Sequence, residues 1–589
     1  MSFKAIALVA ITAIGLPLAS AQVASEGMGD LDAWGARHLQ TDEPDFPPEL
    51  WTGSDDETLL GLMQSIRTAQ LTPSERALLR RVVLSPTLRP TGENAEALLA
   101  ERARLMLELG EARAAANLAP ELEVEARGLD AETIAVDLEL AAGNEASACA
   151  RLSGPVPDGL YWLKLRAVCA VLEDRYSDAE LAVEVASLQG LSDPWFLEAI
   201  FAASGDALIP PAAKYDSGLN IALSSKANLS TESITLSGSR PDLAAAAAVR
   251  PGVTPDLKAR LATMASDRGL IDGATRRQII LDRLAQENAT PNSELEQTLL
   301  QINDPLVPLD LRAAALARAL NGAAGIDISR FRSIASVFAE DIAELPQTAE
   351  THAYAQVFAR AALVLGDNEL ANRWLSIEEI DGLPRQDPFE LDYLVALDMM
   401  AGGEASPGSQ IAVQLSLLEL AKTEEQKQAV ADLFVLWSGF EYTLGPEARA
   451  LIRGQFSRDA QIAPTTLITL RSAAAAGAIG EAALIVLSET RGDPATLAHS
   501  DTAALARALR ALGAEDIAGQ LALEASLFWQ RETVLLPPRP IDVPVPVEAP
   551  IESTLEEELE TADPDAGPGP LSLTRTPEAS ASDPTDETD

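Results

Sequence analysis

The amino-acid sequence predicts an all-α protein, an α-solenoid of stacked helical hairpins that ends in a disordered, acidic, proline-rich C-terminal tail. Hydrophobic residues make up 47% of the 589-residue chain and aromatic residues only 4%. The apolar residues are therefore mainly alanine, leucine, valine and isoleucine, and the first two are strong helix formers. A glycine turn recurs at intervals typical of stacked helix pairs. Residues 534–589 change to a Pro-, Glu- and Asp-rich composition.

Residues 1–21 have the pattern of a cleavable signal peptide. Lys4 supplies the positive charge, residues 5–18 form an apolar stretch, and Ala-Ser-Ala at 19–21 matches a small-residue cleavage site. Cleavage after Ala21 would leave Gln22 as the first residue. No later segment has the roughly 18 uninterrupted apolar residues that a membrane span needs. We therefore expect an exported protein of the periplasm without a membrane span.

The formal net charge is -45, from 89 acidic and 44 basic residues. Such a surface repels phosphate backbones and anionic lipid headgroups, so the charge disfavours nucleic-acid and electrostatic membrane binding. The charge either keeps an exported protein soluble or attracts a basic partner, and the sequence leaves both interpretations open.

The chain divides by composition into consecutive segments. Helix starts support the division, because Thr-Pro-Ser-Glu at 72–75 and Asp-Pro at 387–388 combine a cap with a first-turn proline. Residues 209–240 are rich in Ser, Asn and Thr, and they form either a boundary between two lobes or a helix between loose loops. The tail is too polar and too acidic to offset the entropy of ordering. The predicted segments are a signal peptide (1–21), a lead-in pinned by Trp34 and Trp51 (22–56), an N-terminal lobe (57–208), a boundary (209–240), a C-terminal lobe (241–533) and the tail (534–589).

The repeated turn places a glycine at the end of one helix and an alanine five residues later in the next. Glycine adopts the left-handed conformation that ends a helix, and alanine allows close packing. Neighbouring turns at 110, 143 and 174 lie 33 and 31 residues apart, and those at 477 and 513 lie 36 apart. Asp174 takes the glycine's place in one turn. The turn glycines are Gly110, Gly143, Gly269, Gly366, Gly477 and Gly513.

These turns resemble the inter-helix turn of the tetratricopeptide repeat family. Leu-Gly-Asp-Asn-Glu-Leu-Ala at 365–371 is the clearest example, and Leu-Gly-Glu at 109–111 and Leu-Gly-Ala at 512–514 are similar. Most units lack the Trp and Tyr of the family's first helix and its closing Pro. The resemblance implies a degenerate helical solenoid that binds a protein or peptide along a concave face. The resemblance implies no catalytic residue and no cofactor for this chain.

Cys149 and Cys169 are the only cysteines. An even number of thiols in an exported chain predicts a disulfide, with two buried apolar thiols as the alternative. Adjacent antiparallel helices can bring an early residue of one beside a late residue of the next. The bond would act as a structural staple.

No catalytic, cofactor or metal site is predicted. His38, His352 and His499 are far apart in sequence, and none has a metal-ligand partner at helical spacing. Asp563 and Asp565 lack the glutamate that a calcium loop requires. We therefore expect a non-catalytic protein that binds or scaffolds other proteins, and the analogy of fold and compartment suggests cell-envelope assembly or maintenance as its setting. The alternative is a murein-acting enzyme of the superhelical lytic-transglycosylase type, although the tail leaves no room for that family's catalytic domain.

Overall fold

The computed structural model describes residues 33–530 except 42, 120–121, 123–129, 155–157, 233, 235, 237–239, 377–386, 404 and 456–457. The described residues form 27 α-helices that pack against one another, without a β-strand, and this confirms the all-α solenoid prediction. The predicted signal peptide and tail lie outside the described residues. The helices are Asp56–Ser65 (α1), Pro73–Leu84 (α2), Ala95–Leu109 (α3), Ala112–Leu118 (α4), Ala131–Ala142 (α5), Glu145–Ala150 (α6), Leu160–Leu172 (α7), Tyr176–Leu188 (α8), Pro194–Ser204 (α9), Gly218–Lys226 (α10), Pro241–Ala248 (α11), Pro255–Asp267 (α12), Gly273–Leu284 (α13), Glu294–Asn303 (α14), Leu309–Ala324 (α15), Ile328–Val337 (α16), Ala339–Glu344 (α17), Ala355–Leu365 (α18), Asn368–Leu375 (α19), Pro388–Met400 (α20), Pro407–Leu420 (α21), Glu424–Trp437 (α22), Pro446–Gly454 (α23), Pro464–Ala476 (α24), Ile479–Thr490 (α25), His499–Ala511 (α26) and Glu515–Ala525 (α27).

Local capping places the helix starts. Helix α2 begins at Pro73, and the Glu75 carboxylate accepts a hydrogen bond of 2.7 Å from the backbone N–H of Thr72. Helix α20 begins at Pro388, where the Asp387 carboxylate accepts a bond of 3.0 Å from the backbone N–H of Phe389. These bonds satisfy backbone donors that lack a partner at a helix N-terminus.

The six turn glycines all have positive φ angles, between 74° and 93°. Only glycine reaches this conformation without a steric penalty from Cβ. Asp174 adopts a φ of 60° in the turn that lacks a glycine. Each of these turns therefore reverses the chain between two helices.

The alanines that follow the turns are fully buried with one exception. Ala274 is exposed at the start of α13, and its neighbour Gly273 makes the close contact instead. A Cβ at Gly273 would lie 2.0 Å from the carbonyl oxygen of Ser336 in α16. The packing register here is thus shifted by one residue from the predicted one. The buried alanines are Ala115, Ala148, Ala179, Ala371, Ala482 and Ala518.

The buried side chains form two hydrophobic cores. The first core joins residues 33–118 to residues 280–529, and the second core lies within residues 136–279. Trp34 and Trp51 of the predicted lead-in belong to the first core, with ring centroids 6.4 Å apart. The segment predicted as a lobe boundary, 209–240, contains α10 and contributes to the second core. The predicted lobe boundaries themselves stay a prediction.

The first core also joins the beginning of this helical body to its end. Helices α1 and α2 pack on α25, and α2 also packs on α27. The Leu50 carbonyl accepts a bond of 2.8 Å from the Gly480 N–H, and the Ser74 side chain donates a bond of 2.6 Å to the Glu524 carboxylate. We call the contact of α1 and α2 with α25 and α27 the seam. Nearest-neighbour stacking of helix pairs does not predict it.

None of the helices in the described parts of the chain combines the length and apolar character needed to cross a bilayer.

Candidate binding groove

A groove with a volume of about 550 Å³ opens where α12, α13, α15 and α16 meet the start of α14. We call it the α12–α16 groove. Much of its wall is apolar, with contributions from Ile280, Leu295 and Ile334, and alanines of α15 line one side. Gly322 leaves space in that side, because a Cβ there would lie 2.9 Å from the Glu294 carboxylate. The charged lining residues are Asp256, Arg260, Arg276, Glu294, Glu296 and Arg330.

The segment that builds the groove differs in charge from the rest of the chain. Residues 255–337 contain ten acidic and ten basic side chains, whereas the whole chain has twice as many acidic as basic residues. The lining itself holds three acidic and three basic side chains, so a negatively charged group meets less repulsion there than along the acidic remainder of the chain.

Arg276 is the buried cation of the groove, and its side chain is 2% exposed. Its guanidinium donates to the hydroxyls of Ser333 and Thr263, the latter at 3.2 Å, and Nε has no hydrogen-bond partner among the described residues. The nearest carboxylate, Asp267, lies 4.0 Å away and is paired with Arg330 at 3.1 Å. Arg276 is therefore a buried charge held mainly by neutral partners.

Burial lowers the pKa of Arg276 to about 10, and the nearby Arg330 acts in the same direction while Asp267 opposes it. The guanidinium remains charged at neutral pH. Asp267 is shared with Arg330 and offsets the burial of Arg276 only in part, so an anion that enters the groove would offset more of this cost.

Arg283 shows the contrasting arrangement beside the same groove. It forms an ion pair with Glu296, both side chains being 6% exposed, and it contacts Asp256 at 3.1 Å. Its charge is thus matched within the protein. Among the described side chains, the exposed Arg260 forms no ion pair, and the Arg276 guanidinium comes no closer than 4.0 Å to a carboxylate. The arrangement can hold an anionic group next to an apolar chain.

The structure forms the disulfide between Cys149 and Cys169, with Cα atoms 5.7 Å apart. It links α6 to α7 at the second core, and neither cysteine lines the groove. The predicted turn glycines lie between helices, and Gly269 is the one that joins two groove helices, α12 and α13.

The three histidines lie at separate places. Burial, with a contribution from Arg102, lowers the pKa of His38 to about 4. His352 is buried in a short 3-10 turn, and His499 begins α26 with its Nδ1 3.5 Å from the Asp432 carboxylate. Across the described residues, no cluster of three or more His, Cys, Asp or Glu side chains could hold a metal ion.

Sequence reasoning missed Arg260, Arg276 and Arg330. Their signal in the sequence is the charge balance of residues 255–337, which stands out from an acidic chain. Comparisons with protein-family models, curated proteins and solved structures find no match to this chain.

Proposed function

We propose that the protein is an exported, non-catalytic helical-repeat protein that binds or scaffolds other proteins, and that a peptide segment of a partner enters the α12–α16 groove. The disulfide supports an oxidising compartment outside the cytoplasm. The tetratricopeptide-like turn motifs support stacked hairpins with a binding face. The periplasm is the proposed location, and cell-envelope assembly or maintenance the proposed setting.

The observation that carries the proposal is the buried Arg276 beside apolar walls. Pockets that bind ligands are mostly apolar and contain a few well-placed polar groups that orient the ligand. The groove has this character, with about 550 Å³ of space and a cation whose Nε lacks a partner among the described residues. A segment with apolar side chains and a carboxylate would fill the walls and supply the missing charge.

Binding of defined peptides tests the proposal. Three peptide sets of equal length alternate apolar residues with Glu, Gln or Lys, and fluorescence polarisation measures their affinity for the full chain. We expect the Glu set to bind tighter than the Gln set, and Arg276→Met to weaken it at least tenfold. Arg260→Met is a second variant at an exposed groove position. Arg318→Met, on the exposed side of α15 and outside the groove lining, is the matched control.

Equal affinity of all three variants for the Glu set would place binding outside the groove and contradict the proposal. So would absence of binding by every set. N-terminal sequencing of the exported protein tests the compartment separately. The sequence should begin at Gln22.

The murein-acting alternative stays a prediction. Incubation of the purified protein with murein tests it directly. Release of soluble fragments that a single Glu substitution abolishes would replace the binding proposal with an enzymatic one.

A further inference from the structure

Helix α8 exposes an apolar stripe that no other described helix covers. Leu181, Val185 and Leu188 are 61%, 38% and 85% exposed. Their spacing of four and three residues places them on one face of the helix. Of the thirteen residues of α8, only Ala179 and Ala186 are buried. The stripe runs for about 10 Å, the length of two helical turns.

The surroundings of the stripe carry negative charge. Helix α8 contains three acidic residues and no basic one, and Glu180 and Glu184 are exposed next to the stripe. Neither forms an ion pair with a described residue. Arg175, directly before α8, is already paired with Glu173 and Asp178. The charge of the stripe's flanks is therefore available to a partner.

The neighbouring helix α9 also exposes an apolar side chain next to an acidic one. Phe201 is 45% exposed, and Glu198, three residues earlier on the same side of the helix, is exposed as well. Helix α9 also has no basic residue.

The stripe sits on a well-supported part of the protein. Helix α8 packs mainly on α7 and also contacts α9. The disulfide holds α7 to α6, so the helix beneath α8 is tied to its neighbour. The face is thus presented by a fixed scaffold and needs little ordering when a partner binds.

We infer that this α8 face, formed by Leu181, Val185 and Leu188 with Glu180 and Glu184, is a docking surface for an amphipathic helix of a partner protein whose apolar stripe is flanked by Lys or Arg. A straight apolar stripe at helical spacing matches the stripe of a second helix. The carboxylates select basic flanks and reject acidic ones.

Charge argues against the other occupants. A second copy would bring the same carboxylates face to face, and an anionic membrane surface would be repelled. The inference is independent of the α12–α16 groove, because the two sites share no residue and prefer partners of opposite charge.

Binding of designed helical peptides to the full, oxidised chain tests this inference. One peptide of about 18 residues, long enough to form a helix on binding, has a leucine stripe flanked by lysines. A second has the same stripe flanked by glutamates, and a third has the lysine peptide's composition in scrambled order. We expect the first peptide to bind at least tenfold tighter than the other two. Its affinity should fall as salt concentration rises, since exposed charges are screened.

Variants on exposed positions locate the binding. Leu181→Ser with Leu188→Ser should weaken the lysine-flanked peptide at least tenfold, and Glu180→Gln with Glu184→Gln about threefold to tenfold. Leu306→Ser changes an equally exposed leucine in another part of the protein, at 87% exposure, and should have no effect. Circular dichroism of each variant checks that the helices are retained.

Three results would overturn the inference. The scrambled peptide could bind as tightly as the ordered one, which would mean general attraction to an acidic protein. The double variant Leu181→Ser with Leu188→Ser could bind the lysine-flanked peptide as tightly as the wild type. Light scattering could show a dimer of the wild type that the same double variant no longer forms, which would identify a second copy as the occupant.

Discussion

Replacement of Glu524 by glutamine tests the seam between the beginning and the end of the helical body. Glu524 lies in α27 and is buried. Its carboxylate accepts bonds of 2.8 and 2.6 Å from the backbone N–H and hydroxyl of Ser74. Glu75 lies in the same contact and accepts a bond of 2.8 Å from the Gly492 N–H. Two carboxylates are thus held in a buried place.

The protonation of Glu524 should make the seam sensitive to pH. Burial raises the pKa of Glu524 from the ordinary 4.5 to about 7, and Glu75 acts in the same direction, while hydrogen bonds from Ser74 and Thr72 oppose the rise. The folded protein therefore binds the proton more tightly than the unfolded chain. The stabilising contribution is fully present below pH 4.5 and is lost as the pH rises through about 7.

The size of the effect follows from the two pKa values. Between about pH 5 and pH 8 the unfolding free energy should fall by about 2 to 3 kcal/mol through this group alone. A glutamine side chain in its place would be uncharged at every pH, and its oxygen could still accept the Ser74 N–H. The stability of Glu524→Gln relative to the wild type should thus rise by about 2 to 3 kcal/mol over the same pH interval.

Urea unfolding followed by circular dichroism at both pH values measures this difference. The relative stability cancels the titration of groups that do not interact with Glu524. Glu515→Gln, an exposed position on the same helix, is the control and should show no such change. If the relative stability of Glu524→Gln stays constant within about 0.5 kcal/mol, the carboxylate is not buried as described and the reasoning about the seam is refuted.

Two further predictions concern the staple and the close helix contact. Replacing both Cys149 and Cys169 by Ser should lower the unfolding free energy by about 3 kcal/mol, the chain-entropy value for a loop of about 20 residues. A melting curve without reductant should show the lower stability. If a reductant shifts the melting temperature of the double variant as much as that of the wild type, the prediction is contradicted. Gly273→Ala should destabilise by about 3 kcal/mol or more, because its Cβ would overlap a carbonyl of α16. Gly325→Ala, whose nearest contact is 3.7 Å, is the control, and equal stability of the two variants would contradict the packing.

Much of the local structure could be predicted from the sequence. The turn at Gly110 and the cap at Thr72 each depend on a few adjacent residues, because backbone conformation and capping bonds are local. The cysteine pair was also predictable, since two thiols 20 residues apart on consecutive helices can meet whenever those helices are antiparallel.

The candidate site could not be predicted in the same way. Arg276 is one of many arginines in the sequence, and its significance comes from Thr263, Ser333 and the paired Asp267, which other helices bring to it. The packing at Ala274 was predicted one residue away from the close contact at Gly273, because the choice depends on how α16 crosses α13. The tetratricopeptide resemblance and the exported, non-catalytic function stay predictions.

By itself, the sequence determined that the chain is helical, where its hairpins turn, and that two cysteines are close enough along the chain to pair. These properties follow from interactions between residues near one another in sequence. Only the tertiary structure decided that α2 packs on α27, that Glu524 meets Ser74 450 residues away, and that the α12–α16 groove surrounds Arg276. Such contacts depend on the accumulated angles between many packed helices, and small differences at each interface add up along the chain.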